Sequence, residues 1–362
     1  MSRIAIDARI INSSTGRYIE RLLHYLEQID TANHYTVLVR EKDRNYWRPT
    51  NPNFEIQVAE FDNYSLAEQT GYLKFLNSLH ADLVHFCLPQ QPILYRGTHV
   101  TTVHDLTLLQ TYNSDKNWLA FHAKQLVGRF VFWYIARSSA HIITPTQYTK
   151  NAYQQFSGIS PSKITVTYES ADRHNTTPVA YAALVDQPFI MYVGQQSDYK
   201  NIRRLIEAHQ QLRQRQPGLK LVLVGSLNAS AKQNQAWVEK CGYTDIIFTG
   251  FVDDATLAWL YQHCYAYVFP SLMEGFGLPG LEAMAYGAPV ASSNASCLPE
   301  VYGDGALYFD PLNVDDMART IERILTDDAL RTELIQKGTT QHQRYSWQRM
   351  AEQTLEVYRK AL

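Results

Sequence analysis

Residues 269–291 read Phe269-Pro-Ser-Leu-Met-Glu274-Gly-Phe-Gly-Leu-Pro-Gly-Leu-Glu282-Ala-Met-Ala-Tyr-Gly-Ala-Pro-Val-Ala291. An apolar, strand-like run at 266–269 leads into this stretch, and a helix-forming segment follows Pro279. Proline suits a first helical turn, where its missing N–H is not needed. Gly275, Gly277 and Gly280 allow main-chain N–H groups to approach a ligand closely. A helix N-terminus also favours anions. Glu274 and Glu282 flank the loop with seven residues between them, and Glu282 is expected in the first helical turn. The segment therefore pairs backbone donors, suited to a diphosphate, with two carboxylates, suited to sugar hydroxyls.

Two plainer readings compete. Gly275-Phe-Gly-Leu-Pro-Gly280 fits the dinucleotide pattern G-x-G-x-x-G. It lies far from the first strand and has no obvious ribose carboxylate about twenty residues on, which disfavours that fingerprint. A mere turn would need three glycines and two carboxylates to coincide. Glu282 alone could simply complement a helix dipole, which does not explain the pair.

The pattern widens along the chain. Val193-Gly194 precedes Lys200-Asn201, Phe248-Thr-Gly-Phe251 follows, and 286–294 and 298–301 read Ala-Pro-Val-Ala-Ser-Ser-Asn and Leu-Pro-Glu-Val within them. With Glu274 and Glu282, these residues resemble the signature of retaining glycosyltransferases of the GT-B fold, notably glycosyltransferase family 4 (glycosyl transferases group 1). The resemblance covers nearly the whole chain and is most specific in its C-terminal half. It implies an α/β fold with two Rossmann-like, doubly wound domains facing a central cleft.

The rest of the sequence agrees. Strand-like and helix-like segments alternate, which argues for parallel sheets. Strands are expected at 4–8, 35–39, 83–86, 100–103, 141–144 and 164–167, with an amphipathic helix over 17–29. After a polar stretch beginning at Ser170, strands are expected at 189–193, 219–224, 246–248, 266–269, 289–291 and 307–309. The expected organisation is an acceptor-side domain at 1–170, a linker at 171–186 and a donor-nucleotide domain at 187–345. Ser346 is placed to cap a last helix at 346–362, whose apolar face carries Trp347, Met350, Ala351, Thr354, Leu355 and Tyr358. By resemblance this helix crosses back to the N-terminal domain.

Composition excludes several classes. The 362 residues carry a net charge of −2, with no global signal for nucleic acid. Four isolated cysteines without metal spacing suggest a reducing, cytoplasmic setting. No apolar run reaches the roughly 20 residues that span a bilayer. No Asp-x-Asp occurs, so no metal or other cofactor is expected. The 121–140 stretch mixes Lys124, Arg129 and Arg137 with Phe130, Phe132, Trp133 and Tyr134. It reads either as a core helix with exposed basic residues or as a peripheral contact with an anionic membrane.

The resemblance assigns roles. Lys200 meets the leaving diphosphate, Glu274 the transferred sugar, and Glu282 the ribose. Main-chain groups of Gly194, Gly275, Phe276, Gly277 and Leu278 border the donor, and the main chain of Phe251 lies against the base. The phosphate-side arginine that the family pairs with Lys200 is missing, since Gln195 and Gln196 stand there and Arg203 and Arg204 read as surface charges. Lys200 alone also reads as an ordinary solvated lysine. His104, at the tip of the strand near 100–103, would contact the donor sugar, with a satisfied structural histidine as the other reading. Asp105 is expected on the acceptor side, or as a cap, or as the group fixing the histidine tautomer. Gly16 and Arg17 open the first helix beside the donor phosphates and the acceptor, although Ser13-Ser14 replaces the family's usual glycine pair.

The implied activity is metal-independent, retaining hexosyl transfer, with mannose favoured. The donor would be a GDP- or UDP-sugar and the acceptor a saccharide or lipid-linked saccharide, in polysaccharide or lipopolysaccharide assembly. A catalytically silent nucleotide-sugar-binding subunit and a GT-B-shaped epimerase are the alternatives.

Overall fold

The computed structural model describes residues 1–13, 15–110, 118–173 and 176–362. The chain divides into two compact units. Among the described residues, the first holds 1–110, 118–169 and Ser346–Leu362, and the second Ser170–Tyr345. Of the expected linker, 174 and 175 lie outside the described residues, and Ala182–Leu184 makes one short helical turn.

The first unit contains a seven-stranded parallel sheet: β1 (Arg3–Asp7), β2 (His34–Val39), β3 (Phe54–Val58), β4 (Leu83–Phe86), β5 (His99–Thr102), β6 (His141–Thr144) and β7 (Ile164–Val166). Its order is β3-β2-β1-β4-β5-β6-β7. The central strands β1, β4 and β5 are buried along nearly their whole length, as expected of a parallel sheet covered on both faces. The sequence reading missed β3. Its Phe54-Glu-Ile-Gln-Val58 alternates and lies at the sheet edge, so the apolar run that marks an inner strand is absent.

Helix Gly16–Ile29 buries Ile19, Leu22, Leu23 and Leu26. Helix Trp347–Ala361 packs on that helix and on β5 and β6. Ser346 caps it by accepting from the Arg349 N–H, and Met350, Ala351, Thr354 and Tyr358 are wholly buried.

The second unit carries a six-stranded parallel sheet: β8 (Phe189–Val193), β9 (Lys220–Val224), β10 (Ile246–Gly250), β11 (Ala266–Phe269), β12 (Val290–Ser293) and β13 (Ala306–Phe309), in the order β10-β9-β8-β11-β12-β13. The strand order reverses between β8 and β11, where an open α/β sheet places its ligand crevice. The C-terminal ends of β8 and β11 lead into the Lys200 and Glu274 segments.

Candidate active site

The tips of β8 and β9 approach each other through two glycines. Gly194 has φ of +140° and Gly225 has φ of +148°, and a Cβ on Gly225 would lie 2.4 Å from the Gly194 carbonyl oxygen. Beyond Gly194, a single turn (Asp198–Lys200) ends at Asn201 with a left-handed φ of +63°. The Asn201 amide donates to the carbonyls of Pro270 (3.1 Å) and Pro311 (2.7 Å). Those bonds tie the Lys200 segment to the ends of β11 and β13.

Lys200 Nζ then donates to Glu274 Oε1 at 2.6 Å. Both side chains are nearly covered, at 15% and 12% exposed. Burial works against the ammonium, but Glu274, Tyr192 and Tyr199 outweigh it and hold the Lys200 pKa above its ordinary value. Lys200 is therefore a positive group fixed in a partly dry setting. That is the arrangement needed to meet developing phosphate charge. It is not a solvated surface lysine.

The glycine loop follows. Gly277 has φ of +92°, and a Cβ there would lie 2.6 Å from Tyr302 Oη. Helix Leu278–Ala285 begins at the next residue. Glu282 is thus its fifth residue and not in its first turn, as the sequence had suggested. The left-handed Gly277 starts the helix just ahead of Pro279, so simple dipole complementarity does not account for Glu282. It is 8% exposed and accepts from Tyr261 Oη at 3.4 Å. Phe276 is also buried, edge-on to Tyr345, so it offers a ligand its main chain only. Phe251, just beyond β10, is 86% exposed.

In the first unit, His104 follows β5. Its Nε2 lies 3.0 Å from the Cys87 carbonyl, its Nδ1 lies 3.3 Å from Glu169 Oε1, and Tyr18 packs edge-on at 4.8 Å. Asp105 accepts from the Thr107 N–H at 2.8 Å, so it serves as a cap and Glu169 is the group facing the histidine. Gly16 is demanded by packing, since a Cβ would fall 1.8 Å from the Ile11 carbonyl oxygen. Arg17 is half-buried on the same helix. Ser14 lies outside the described residues.

Two family models match this chain, one described as Glycosyl transferases group 1 over residues 176–341 and one as Glycosyltransferase Family 4 over 15–174. The chain belongs to the group 1, family 4 glycosyltransferases. Among its relatives is a serotype-specific mannosyltransferase WbdA of Escherichia coli, 31% identical over 294 residues, covering 78% of this chain and 36% of the relative. O-antigen chain mannosyltransferase B of Escherichia coli is 38% identical over 179 residues, covering 48% of this chain and 46% of the relative. The matched part of the chain thus spans about a third to a half of these curated relatives. A sucrose-phosphate synthase from Thermosynechococcus elongatus superimposes with a TM-score of 0.81 at 21% identity, covering 99% of each chain. That likeness carries the fold, which is GT-B.

Within this family member, the structure brings Lys200, Glu274 and the 275–278 loop together in the second unit. His104, Gly16, Arg17 and Asp105 belong to the first unit. Arg203 is exposed, as expected of a surface charge. Arg204 instead donates to Asn201 Oδ1 at 2.9 Å and helps fix the turn after Lys200. Sequence reasoning also missed Arg9. Its guanidinium binds Asp7 through two nitrogens and Glu68 at 2.8 Å, and stacks 3.9 Å from the Tyr72 ring. Asp7 and Arg9 line a small pocket with Asn63 and Gln90. Arg9, two residues past the end of β1 at Asp7, was the available signal.

Proposed function

We propose that this chain transfers a hexose, mannose in the first instance, from a nucleoside-diphosphate sugar to a saccharide or lipid-linked saccharide. The supporting observation is the Lys200–Glu274 pair at 2.6 Å, held beside a left-handed glycine loop at the strand-order reversal. Lys200 would neutralise the departing diphosphate, and Glu274 would hold the transferred sugar in register. Gly277 and Leu278 would offer main-chain N–H groups, and Glu282 would accept from the ribose. Transfer with retention follows from front-face attack, with the departing phosphate helping to take the acceptor proton. The mannosyltransferase relatives support mannose as the transferred sugar, carried by a GDP- or UDP-donor.

Charge on the leaving group would be met by Lys200 and backbone amides without a divalent cation. Among the described residues, no group of three or more His, Cys, Asp and Glu side chains could hold a metal ion. Full activity in excess EDTA tests that reading, and restoration by added Mg²⁺ or Mn²⁺ after a complete loss would overturn it.

The site of action proposed is the cytoplasmic face of a membrane. Among the described residues no helix is long and apolar enough to cross one. Helix Trp118–Ser138 nevertheless exposes Leu126, Val127, Phe130 and Trp133. Lys124's side chain lies outside the described residues. Residues 116–168 contain six Lys and Arg and no Asp or Glu, in a chain of net charge −2. An apolar stripe within a cationic segment suits the headgroup region of an anionic bilayer.

Thermal unfolding with a panel of nucleotide sugars tests the donor assignment. A specific donor at 100 times its Kd would stabilise the fold by about 2.7 kcal/mol. No shift with any of them would remove the donor site from the account.

A further inference from the structure

The loop bearing Glu274 does not hold itself. It lies on a segment after β12 that no part of the proposed chemistry uses. Asn294 N–H bonds to Phe309 O (2.9 Å) and Ala295 N–H to Ser293 Oγ (3.1 Å), which anchors that segment to β12 and β13. Ser296 then turns through a left-handed φ of +56°, a conformation L residues seldom adopt without compensating contacts. The compensation is visible. Ser296 Oγ accepts from the Glu274 N–H at 3.1 Å. The next residue, Cys297, donates its thiol to the Glu274 carbonyl at 3.2 Å. One turn on, Tyr302 Oη donates to the Gly277 carbonyl at 2.5 Å.

Cys297 and Tyr302 are fully buried. Burial and the nearby Glu274 raise both pKa values well above normal, so both groups keep the protons they donate. The Tyr302 hydroxyl also fills the space where Gly277 and Gly280 have no side chain, since Cβ atoms there would lie 2.6 and 2.3 Å from it. The glycines and the tyrosine are thus one fitted unit.

We propose that Ser296, Cys297 and Tyr302 are positioning residues that hold the 274–277 main chain, so that the Glu274 carboxylate and the Gly277 and Leu278 amides meet the donor in fixed geometry. The inference rests on the donor-sugar role proposed for Glu274. A misplacement of about 1 Å is enough to cost on the order of 100-fold in rate. Loss of a single hold, with two remaining, should act less strongly.

The experiment compares Cys297→Ala, Cys297→Ser and Tyr302→Phe with the parent chain. It measures kcat and KM for the donor, nucleoside-diphosphate affinity by calorimetry, and the urea midpoint, with Glu274→Gln assayed in parallel. Cys297→Ala and Tyr302→Phe should lower kcat by about tenfold and change diphosphate affinity by less than threefold. Cys297→Ser, which restores a donor, should recover most of the lost kcat. If Cys297→Ala does not fold, the Tyr302→Phe arm decides, because it removes one oxygen and keeps the ring. Parental kcat in Tyr302→Phe and Cys297→Ala, with Glu274→Gln impaired, would overturn the positioning role alone. Parental kcat in Glu274→Gln would instead overturn the role of Glu274 and the proposal with it.

Discussion

Replacing Lys200 by methionine removes the charge that Glu274 is paired with. The two side chains meet at 2.6 Å and are only 15% and 12% exposed. Breaking a buried pair by deleting one partner typically costs 3–5 kcal/mol, and the residual solvent access argues for less, about 2–3 kcal/mol here. In a unit of this size, each 1 kcal/mol moves Tm by about 2–4 °C, so a fall of about 4–12 °C is expected. Activity should suffer independently. Loss of one charge-stabilising donor at a developing anion lowers kcat by about 10²–10³. Scanning calorimetry and donor-dependent release of nucleoside diphosphate read the two effects. Lys200→Met combined with Glu274→Gln should regain most of the stability, because no charge is then stranded, while remaining inactive. Turnover within threefold of the parent in Lys200→Met, or no stability regained in the double variant, would refute the reasoning.

Other outcomes follow from the same structure. His85 is pushed down to about 3 by burial and by neighbouring His104, and burial lowers His141 and His209 to about 4. These rings stay neutral in the fold and take up protons below about pH 6.5 when unfolded, so stability should fall as pH drops from 6.5 towards 4. Urea midpoints at pH 5 and pH 7 check this, and a flat profile would contradict it. Lys200 has the opposite sign: its contribution is complete below the unfolded pKa of about 10.4 and fades as pH rises above it, so Lys200→Met should show a shallower alkaline loss than the parent. Glu274→Ala should chiefly lower kcat and Glu282→Ala chiefly weaken donor binding, a split that steady-state kinetics will read. Phe130→Ser with Trp133→Ser should reduce cosedimentation with anionic vesicles by about tenfold or more, and equal pelleting with the parent would remove that face from membrane binding.

Much of this was legible in the sequence for a physical reason. Inner parallel strands such as Phe189–Val193 and Ala266–Phe269 are unbroken apolar runs, and glycine spacing marks the loops at their tips. The pair of glutamates around 275–280 could be seen because loop chemistry is local. What stayed hidden depends on distant contacts. The edge strand Phe54–Val58 lacks the inner-strand pattern. Glu169 meets His104 across 65 residues of sequence, and Cys297 meets Glu274 across 23. Neither pairing has a periodic signature. The placement of Glu282 turned on one dihedral, the left-handed φ of Gly277, which moves the helix start and carries Glu282 into the second turn.

The central claim is transfer from a nucleotide sugar by a site built on Lys200 and Glu274. Its most direct test incubates the chain with GDP-mannose labelled with ¹³C at the anomeric carbon and a panel of saccharide acceptors, and follows that carbon by NMR. The account predicts a new glycosidic signal with the donor's anomeric configuration, absent in Lys200→Met. An inverted product, or equal transfer by Lys200→Met, would contradict it.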